Sequence, residues 1–543
     1  MDRNIATLLV DQFESYGIEY VFCVPGASID AILTALKGRK PKLILCRQES
    51  SAGHMAIAYA KKSGKPAVVM VTAGPGATNV VTAAATATLE HAPLIIITGQ
   101  MDSKTLFKPS HQVINAESLF APVCKLSLNV NNPKTLSGIW DYAYQTATTG
   151  ATGAIHLALS SDILATKIDL VASKPLPNIS KPYAMPETIT LASSIISSAN
   201  CPLIVIGSDA ATTAVAEAIE KLIAKTSIPV ICSFEGGGLI KDWQMQHFMG
   251  RIGSFQNQPC NEIIAATDVM ISIGYNIAEL DPLYWNKDNS KRIIHVSEYL
   301  PIVADGYRPE LQLLGDIAKN ISNLVNAIDY KVPHTSSELQ KKIYQKLVTR
   351  KIDYTTKASL VHPLYVIKCL QEIIRPEDSL VSDVGSHQYW VSEYFVSNTP
   401  RQYINSMGFQ TLGVSLAFAI GAAFSSNKGR VYSVSGDGGV LMCIMELATA
   451  VEHNIPLIHL VWKDHSYDLV AIQEEHKYNT TSGVQFTQNI DFVKMAESFG
   501  AIGLRVMNES ELMPALLHAQ KCTKPVIIDI AIDYSDNLKK LVE

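Results

Sequence analysis

The sequence predicts an α/β protein with three doubly wound domains, each built on a parallel sheet that is covered by helices on both faces. Short apolar runs alternate with helix-like segments along most of the chain. A proline-rich stretch at 174–186 and a polar, charged stretch at 331–359 interrupt this pattern. The length of 543 residues suits three or four domains of roughly 150 residues each. We therefore expect domains at 1–170, 187–330 and 360–543.

The first domain is predicted from five apolar runs that are joined by helical segments. We expect its strands at residues 21–24, 43–46, 67–71, 94–98 and 154–158. Because these runs are continuous rather than alternating, both faces of the strands should be buried. A parallel sheet of five or six strands follows from this pattern.

The second and third domains repeat the pattern. In the second domain, strands are expected near residues 203–206, 230–232, 269–273 and 293–296. In the third domain, they are expected near residues 380–382, 431–434, 457–462 and 526–530. The run Gly236-Gly237-Gly238 admits two interpretations, a turn or a weak sign of nucleotide binding, and we prefer the turn.

Composition indicates a globular, cytoplasmic enzyme. Apolar residues make up 47% of the chain and charged residues 17%, which is typical of large cores. The net charge of −5 gives no electrostatic reason to expect nucleic acid or an anionic membrane as a partner. The nine cysteines are scattered without a Cys-x-x-Cys pair, which argues against a disulfide framework and a zinc site. We see no signal peptide and no apolar run of the roughly 18 residues that a membrane span needs.

The most informative motif is Gly436-Asp437-Gly438, which is followed 27 residues after its aspartate by Asp464. Each aspartate comes just after a predicted strand, and helix-like sequence at 442–450 lies between the two strands. Open α/β sheets bind ligands at the carboxyl ends of their strands. Two carboxylates at that edge suit Mg²⁺, which prefers carboxylate and phosphate oxygens. Gly-Asp-Gly alone is a common turn, but a second acid after a complete crossover favours a metal–diphosphate site.

Further motifs connect this site with the other end of the chain. Glu49 follows an apolar run, the segment 74–79 follows another and opens a helix, and Pro25-Gly26-Ala27 follows a third. With these motifs, the chain resembles the thiamine-diphosphate-dependent enzymes of the pyruvate oxidase and acetohydroxyacid synthase superfamily. The resemblance implies pyrimidine-binding, central and diphosphate-binding domains. It also implies a homodimer in which the first domain of one subunit faces the third domain of its partner, and it favours a homotetramer.

The resemblance assigns roles to particular residues. Glu49 would hydrogen-bond N1′ of the aminopyrimidine and stabilise its imino tautomer, and Leu412 would hold the cofactor bent. Gln112 would lie near the C2 carbon, and Gln473 would contact the acceptor. Mg²⁺ would be bound by Asp437, Asp464 and the backbone carbonyl of Ser466. The residues implied to bind the cofactor are Pro25, Gly26, Gly74, Pro75, Asn79, Gly385, Ser386, His387, Gln410, Gly436, Asp437, Gly438, Gly439 and Tyr467.

Within this superfamily, the chain is most similar to the catabolic acetolactate synthases. The likeness is carried by residues 250–259, 273–275, 281–286, 445–447, 467–468, 496–500 and 533–537. The segment 274–280 lacks the Arg-, Phe- and Asp-rich sequence with which anabolic relatives bind FAD, so we do not expect FAD. The implied reaction condenses two pyruvates into 2-acetolactate and CO₂ through a hydroxyethyl carbanion on thiamine diphosphate.

Four positions depart from the pattern of the catabolic enzymes. These are Ser28, Gln48, Lys463 and Ile472, of which Ser28 and Ile472 are expected to affect the acceptor pocket. Two alternatives therefore stay open. One is another thiamine-diphosphate-dependent decarboxylase or carboligase with a different donor or acceptor. The other is a non-catalytic protein that retains the fold.

Overall fold

The computed structural model describes residues 3–177, 180–253, 258–349, 360–425 and 429–537. Within these ranges the chain forms three six-stranded sheets in which neighbouring strands are parallel, with helices packed around them. The predicted fold class is therefore confirmed. Parts of three sequence features, residues 178–179, 254–257 and 350–359, lie outside the described residues. The domain limits that we inferred from the sequence stay predictions.

The first sheet has the strand order β2-β1-β3-β4-β6-β5. Its strands are β1 (Tyr20–Val24), β2 (Lys42–Leu45), β3 (Ala67–Val71), β4 (Leu94–Gln100), β5 (Leu126–Asn129) and β6 (Ala154–Ser160). The order reverses between β1 and β3, so a crevice opens at the carboxyl ends of these two strands.

The second sheet has the order β12-β11-β10-β7-β8-β9. Its strands are β7 (Pro202–Ile206), β8 (Val230–Cys232), β9 (Phe248–Arg251), β10 (Val269–Ile273), β11 (Arg292–Ser297) and β12 (Leu311–Leu314). Read from its other edge, this is the 3-2-1-4-5-6 order of dinucleotide-binding sheets, with the reversal between β7 and β10.

The third sheet has the order β14-β13-β15-β16-β18-β17. Its strands are β13 (Ser379–Ser382), β14 (Tyr403–Ile404), β15 (Val431–Gly436), β16 (Ile458–Lys463), β17 (Ile502–Val506) and β18 (Val526–Ala531). This order is the same as that of the first sheet, so the two terminal domains share one topology. The reversal lies between β13 and β15.

The helices are distributed over the same three blocks. The first block contains α1 (Ile5–Ser15), α2 (Asp30–Leu36), α3 (Glu49–Ser63), α4 (Pro75–Asn79), α5 (Val81–Leu89), α6 (Ala116–Phe120), α7 (Leu136–Thr148) and α8 (Ser161–Ala165). The second contains α9 (Pro186–Ser197), α10 (Thr213–Thr226), α11 (Cys260–Ala266), α12 (Ile317–Ala327) and α13 (His334–Val348). The third contains α14 (Pro363–Ile373), α15 (Ser386–Tyr394), α16 (Ser415–Ser425), α17 (Asp437–Leu441), α18 (Leu447–Glu452), α19 (Asp468–Tyr478), α20 (Phe492–Ser498) and α21 (Glu509–Ala519).

The first and third blocks share one hydrophobic core, which includes side chains of α3 and α16. The helices approach so closely that a Cβ added to Gly421 of α16 would lie 2.0 Å from the carbonyl oxygen of Met55 in α3. Glu446 adds a polar link, because its Oε1 accepts hydrogen bonds from the backbone N–H groups of Arg47 and Gln48 at 2.9 and 3.0 Å. The two blocks are thus joined immediately before Glu49.

Glu446 also marks a difference from the sequence-based prediction. The segment 442–450 reads as one helix, but the structure has a short 3-10 turn at Ile444–Glu446 between α17 and α18. The break begins at Cys443, whose φ of −133° is not helical. Contacts with the first block therefore outweigh the helix propensity of this segment.

All three blocks meet at a buried ion-pair cluster around Lys61. Its Nζ lies 2.8 Å from Oε2 of Glu90 and 2.9 Å from Oε2 of Glu235, and it donates to the carbonyl oxygen of Asn405 at 3.0 Å. The two carboxylates hold the pKa of Lys61 above its ordinary value despite burial. A buried ammonium needs such partners, because an unpaired buried charge is costly. The cluster therefore fixes the three blocks to one another.

No helix within the described ranges combines the length and hydrophobicity needed to cross a bilayer. The nine cysteines are all free, as their spacing predicts.

Candidate active site

A cavity of about 130 Å³ opens at the carboxyl ends of the strands of the third sheet. Its walls come from the segments that follow β13, β14, β15, β16 and β18, next to the reversal of strand order. Every described residue that lines it belongs to the third block; they are Val384, Gly385, Ser386, His387, Leu412, Gly436, Gly438, Gly439, Asp464, Ser466, Tyr467, Asp468, Leu469, Val470 and Tyr534. The first block thus contributes no described wall to this cavity.

Asp437 follows β15 and lies just behind the cavity wall, with 3% of its surface exposed. Its Oδ1 accepts a hydrogen bond from the backbone N–H of Gly438 at 3.0 Å, and its Oδ2 accepts one from the N–H of His465 at 2.9 Å. His465 has a φ of 63°, a strained conformation for a residue with a side chain. This strained turn brings the segment after β16 against the carboxylate of Asp437.

Asp464 is the centre of an acidic cluster. Burial raises its pKa to about 8, and the negative charges of Asp437 and Asp468 act in the same direction. Burial also raises the pKa values of Asp437 and Asp468 above their ordinary values. The hydroxyl of Ser466 donates a hydrogen bond to Asp464. One buried and two half-buried carboxylates thus lie close together, and a divalent cation would favour their ionised forms.

Glycines keep the floor of the cavity free of side chains. A Cβ added to Gly438 would lie 2.5 Å from the ring of Tyr467, and one added to Gly439 would lie 3.3 Å from the carboxylate of Asp383. Gly385 has a φ of 150°, and an added Cβ there would meet the ring of His387 at 2.7 Å. Only glycine fits these positions without displacing a neighbour.

Asp383 anchors the loop that carries Leu412. Its Oδ1 accepts hydrogen bonds from the N–H groups of Val384 and Gly413, both at 2.8 Å, and its Oδ2 accepts one from the N–H of Ser415 at 3.1 Å. Leu412 lines the cavity. Gln410, two residues earlier, has a φ of 52° and is exposed, so the structure places it outside the cavity.

Two buried polar atoms in the wall have no partner among the described residues. They are Nε2 of His387 and the hydroxyl oxygen of Tyr534. Burial lowers the pKa of His387 to about 3, so its imidazole is neutral. Buried polar atoms normally have a hydrogen-bond partner. Unused polar groups beside glycines and carboxylates fit a polar ligand such as a metal-bound diphosphate.

The acids present suit Mg²⁺ rather than a metal held entirely by side chains. Among the described residues, no group of three or more His, Cys, Asp or Glu side chains is arranged to hold a metal ion. Mg²⁺ often has only one or two carboxylate ligands and completes its shell with water and phosphate oxygens. Asp437 and Asp464 fit that requirement.

The residues predicted in the first block form a second group at the edge of the first sheet. Oε2 of Glu49 accepts a hydrogen bond from the side-chain amide of Asn79 at 2.9 Å. A Cβ added to Gly74 would lie 2.9 Å from the side chain of Gln112, and one added to Gly26 would lie 2.3 Å from that of Thr72. Pro25 and Pro75 are exposed. These loops follow β1 and β3, at the same relative positions as the segments after β13 and β15.

The remaining candidates lie apart from the cavity. Gln473 is exposed on α19 and does not line the cavity, whereas its neighbour Ile472 is buried. The hydroxyl of Ser28 accepts a hydrogen bond from the N–H of Ala73 at 3.0 Å and contacts Oγ1 of Thr72. Ser28 is therefore bound within the first block.

The two other residues that depart from the family pattern, Gln48 and Lys463, form hydrogen bonds with nearby segments of their own blocks. The side chain of Gln48 accepts a hydrogen bond from the N–H of Ser51 and caps α3. The ammonium of Lys463 donates to Asn489 and to the carbonyl oxygen of Ile490.

Sequence reasoning gave no role to two residues that line the cavity, Asp468 and Tyr534, although both lie in segments that carry the family resemblance. Oδ2 of Asp468 accepts hydrogen bonds from the hydroxyl of Ser386 and the side-chain amide of Asn537, both at 2.5 Å. Tyr534 lies three residues after the end of β18, and Asp468 begins α19, the helix after Asp464. The position of these residues after strands of the third sheet was the sequence signal that could have identified them.

Comparison with protein families gives three matches along the chain. Residues 3–119 match the N-terminal TPP binding domain of thiamine pyrophosphate enzymes. Residues 189–324 match their central domain, and residues 383–530 match their C-terminal TPP binding domain. The acidic cavity lies within the C-terminal match, and Glu49 lies within the N-terminal one.

The chain is similar to known enzymes over almost its whole length. It is 36% identical to the acetolactate synthase of Bacillus subtilis (strain 168), over 98% of this chain and 94% of that protein. It is 32% identical to the catabolic acetolactate synthase of Raoultella terrigena, over 98% and 95% of the two chains. It is 28% identical to a probable acetolactate synthase large subunit of Methanococcus aeolicus, over 98% and 93%.

Proposed function

The chain belongs to the thiamine-diphosphate-dependent enzymes of the acetolactate synthase type, and we propose that it condenses two molecules of pyruvate into 2-acetolactate and CO₂. The observation that carries the proposal is the acidic, glycine-floored cavity at the reversal point of the third sheet. Similarity to a catabolic acetolactate synthase over 98% of the chain supports the choice of reaction.

The third block would hold the diphosphate end of the cofactor. Asp437, Asp464 and the backbone carbonyl of Ser466 would bind Mg²⁺, which would also bind diphosphate oxygens. His387 and Tyr534 have polar atoms free for the ligand. Thiamine diphosphate supplies a nucleophilic carbon that adds to 2-oxo acids and accepts the electrons when CO₂ leaves.

The first block would hold the pyrimidine end. Glu49 would hydrogen-bond N1′ of the aminopyrimidine and stabilise its imino tautomer, and Asn79 holds the carboxylate of Glu49 through a hydrogen bond at 2.9 Å. Because the cavity has no described wall from the first block, we propose that the partner subunit supplies Glu49. The active unit is then a homodimer with two sites at the interface. A homotetramer would contain two such dimers.

The central domain would act without FAD. At the reversal between β7 and β10, where such sheets bind dinucleotides, the carboxylate of Glu279 occupies the crevice. It accepts hydrogen bonds from the N–H and hydroxyl of Ser208, from the hydroxyl of Ser233 and from the N–H of Asn276. The carboxylate of Glu279 thus binds the N–H and O–H donors that would otherwise be available to a pyrophosphate group. This arrangement supports the sequence-based expectation that FAD is absent.

The product formed from pyruvate tests the proposal. Purified enzyme with thiamine diphosphate and Mg²⁺ should convert pyruvate into acetolactate, measured as acetoin after acid treatment, with one CO₂ for every two pyruvates consumed. Asp437→Asn, prepared in the same way, serves as the control and should lose cofactor-dependent turnover.

The same experiment separates the two alternatives. Release of acetaldehyde without acetolactate would support a decarboxylase and contradict the proposed condensation. Absence of any cofactor-dependent turnover of pyruvate and other 2-oxo acids would support the non-catalytic alternative.

A further inference from the structure

A second cavity, of about 320 Å³, lies between the second and third blocks, outside the acidic site. We refer to it as the junction cavity. Its walls come from the run Gly236–Gly238, from Arg251, from Tyr344 and Leu347 of α13, and from residues 393–397 at the end of α15. Most of these walls are apolar, and the volume is at the lower end of the range of about 300–1,000 Å³ that is usual for small-molecule sites.

Arg251 supplies the one positive charge among the described residues of the wall. It is 7% exposed and has no ion-pair partner within the described ranges. Its Nη1 donates to the carbonyl oxygen of Ser392 at 2.5 Å and its Nη2 donates to Oγ of Ser397 at 3.3 Å. The guanidinium also contacts the thiol of Cys232. These three partners are neutral and leave N–H donors of the guanidinium available to a ligand.

The run Gly236–Gly238 leaves room for the guanidinium of Arg251 beside the cavity. A Cβ added to Gly237 would lie 2.9 Å from Nη2 of Arg251, so the guanidinium lies directly against the backbone there. A Cβ at Gly238, where φ is +83°, would lie 2.1 Å from the carbonyl oxygen of Thr399. The three glycines thus allow close packing between the second and third blocks.

We propose that the junction cavity binds a small organic monocarboxylate with an apolar body, whose carboxylate pairs with Arg251. A guanidinium matches the geometry of a carboxylate through two parallel N–H donors. The apolar walls would exclude water from the body of the ligand. Glu393 also lines the cavity and adds negative charge, which disfavours ligands with two or more negative charges.

A matched pair of probes tests this site, 4-phenylbutyrate and its neutral analogue 4-phenyl-1-butanol. Calorimetric titration of the thiamine diphosphate–Mg²⁺ holoenzyme at constant ionic strength should give a Kd below about 1 mM for the carboxylate and weaker binding of the alcohol. Failure to bind the carboxylate, or equal affinity for both probes, would overturn the proposal.

Two variants locate the binding. Arg251→Met should weaken 4-phenylbutyrate about tenfold or more and leave the alcohol nearly unchanged, because the substitution removes the charge and keeps an apolar side chain. Leu347→Trp, which fills the cavity from α13, should weaken both probes. Unchanged carboxylate affinity in Arg251→Met would contradict the role of its charge.

Two further measurements exclude misfolding and binding in the active site as explanations. Arg251→Lys keeps the charge and should still prefer the carboxylate over the alcohol, so the proposal can be tested even if Arg251→Met fails to fold. Pyruvate is itself a carboxylate, so the probe is also tested as an inhibitor of turnover. Competition with pyruvate that persists in Leu347→Trp would place the probe in the active site and overturn the proposal.

Discussion

At the scale of single residues, the protein places carboxylates at the carboxyl ends of strands near the reversal points of two of its sheets. Asp437 and Asp464 lie at the third sheet, and Glu279 lies at the second. Their surroundings differ, because Glu279 is surrounded by hydrogen-bond donors of its own domain, whereas Asp464 lies beside other acids. The side chain of Glu279 therefore fills the crevice of the second sheet, whereas the acids around Asp464 are suited to binding a cation.

Replacing Glu49 tests its proposed chemical role. Glu49→Gln keeps the shape of the side chain but cannot exchange a proton with N1′ of the aminopyrimidine, so turnover of pyruvate should fall by about 100-fold or more. Binding of thiamine diphosphate, measured by calorimetry, should change far less. Glu452→Gln is the control, because Glu452 is exposed and pairs with Arg47 near Glu49; its turnover should stay within about twofold of the parent. Full activity in Glu49→Gln would contradict the mechanism.

Glu279 gives the stability of the protein a specific pH dependence. Burial raises its pKa from 4.5 to about 7, and the charges of Asp209 and Glu235 add to this shift. His91 is paired with Asp209 and faces the same cluster. Between pH 4.5 and 7 the folded chain holds a proton that the unfolded chain has lost. Ionising Glu279 thus lowers the free energy of unfolding as pH rises, by up to roughly 3 kcal/mol above pH 7.

Glu279→Gln should remove this pH dependence. The midpoint of thermal unfolding of the variant, relative to the parent, should rise between pH 5 and pH 8, since glutamine does not ionise. Glu217→Gln on the exposed face of α10 is the control and should show a pH-independent difference. A difference for Glu279→Gln that is equally independent of pH would show that Glu279 does not titrate in this range.

At the scale of elements, the crossing of α3 and α16 links the first and third blocks. The Cβ contact at Gly421 would be with backbone, so no side-chain movement can relieve it. Gly421→Ala should therefore lower the free energy of unfolding by about 1–3 kcal/mol. Gly138→Ala in α7 is a matched control, because an added Cβ there meets no atom within 4 Å. It should stabilise the chain by roughly 0.5–1 kcal/mol. Equal effects of the two changes in chemical denaturation would contradict the close crossing.

At the scale of the whole molecule, the two groups of candidate site residues lie in different blocks of one chain. A site shared between subunits predicts recovery of activity when two inactive variants are mixed. Co-expressed Glu49→Gln and Asp437→Asn subunits would form hybrid dimers in which one site carries both changes and the other carries neither. Random pairing should restore no more than about a quarter of the activity of the parent.

The subunit-mixing experiment would contradict a shared site if activity did not recover. If Glu49 and Asp437 of the same chain formed each site, every hybrid site would carry one defect and activity would not recover. The control is co-expression of Asp437→Asn with Asp464→Asn, which lie in the same block and should not complement one another.

The sequence predicts the fold well wherever a strand is buried, and less well at the sheet edges. The strands that sequence reasoning missed are β5, β9, β12, β14 and β17, and each lies at an edge of its sheet. Most are partly exposed and β14 has only two residues, so they lack the continuous apolar run that marks a central strand. Likewise, Asp468 and Tyr534 lie in segments that carry the family resemblance, but the sequence alone gives neither residue a role in the site.

The sequence by itself determined the three α/β domains and the kind of cofactor, because both are encoded in local patterns: apolar runs, Gly436-Asp437-Gly438 and the spacing to Asp464. The tertiary structure decided what depends on distant residues meeting in space. It placed Glu49 outside the acidic cavity, filled the central crevice with Glu279 and left the charge of Arg251 facing the junction cavity. Burial and the electrostatic environment of a side chain arise only when segments far apart in the chain pack together.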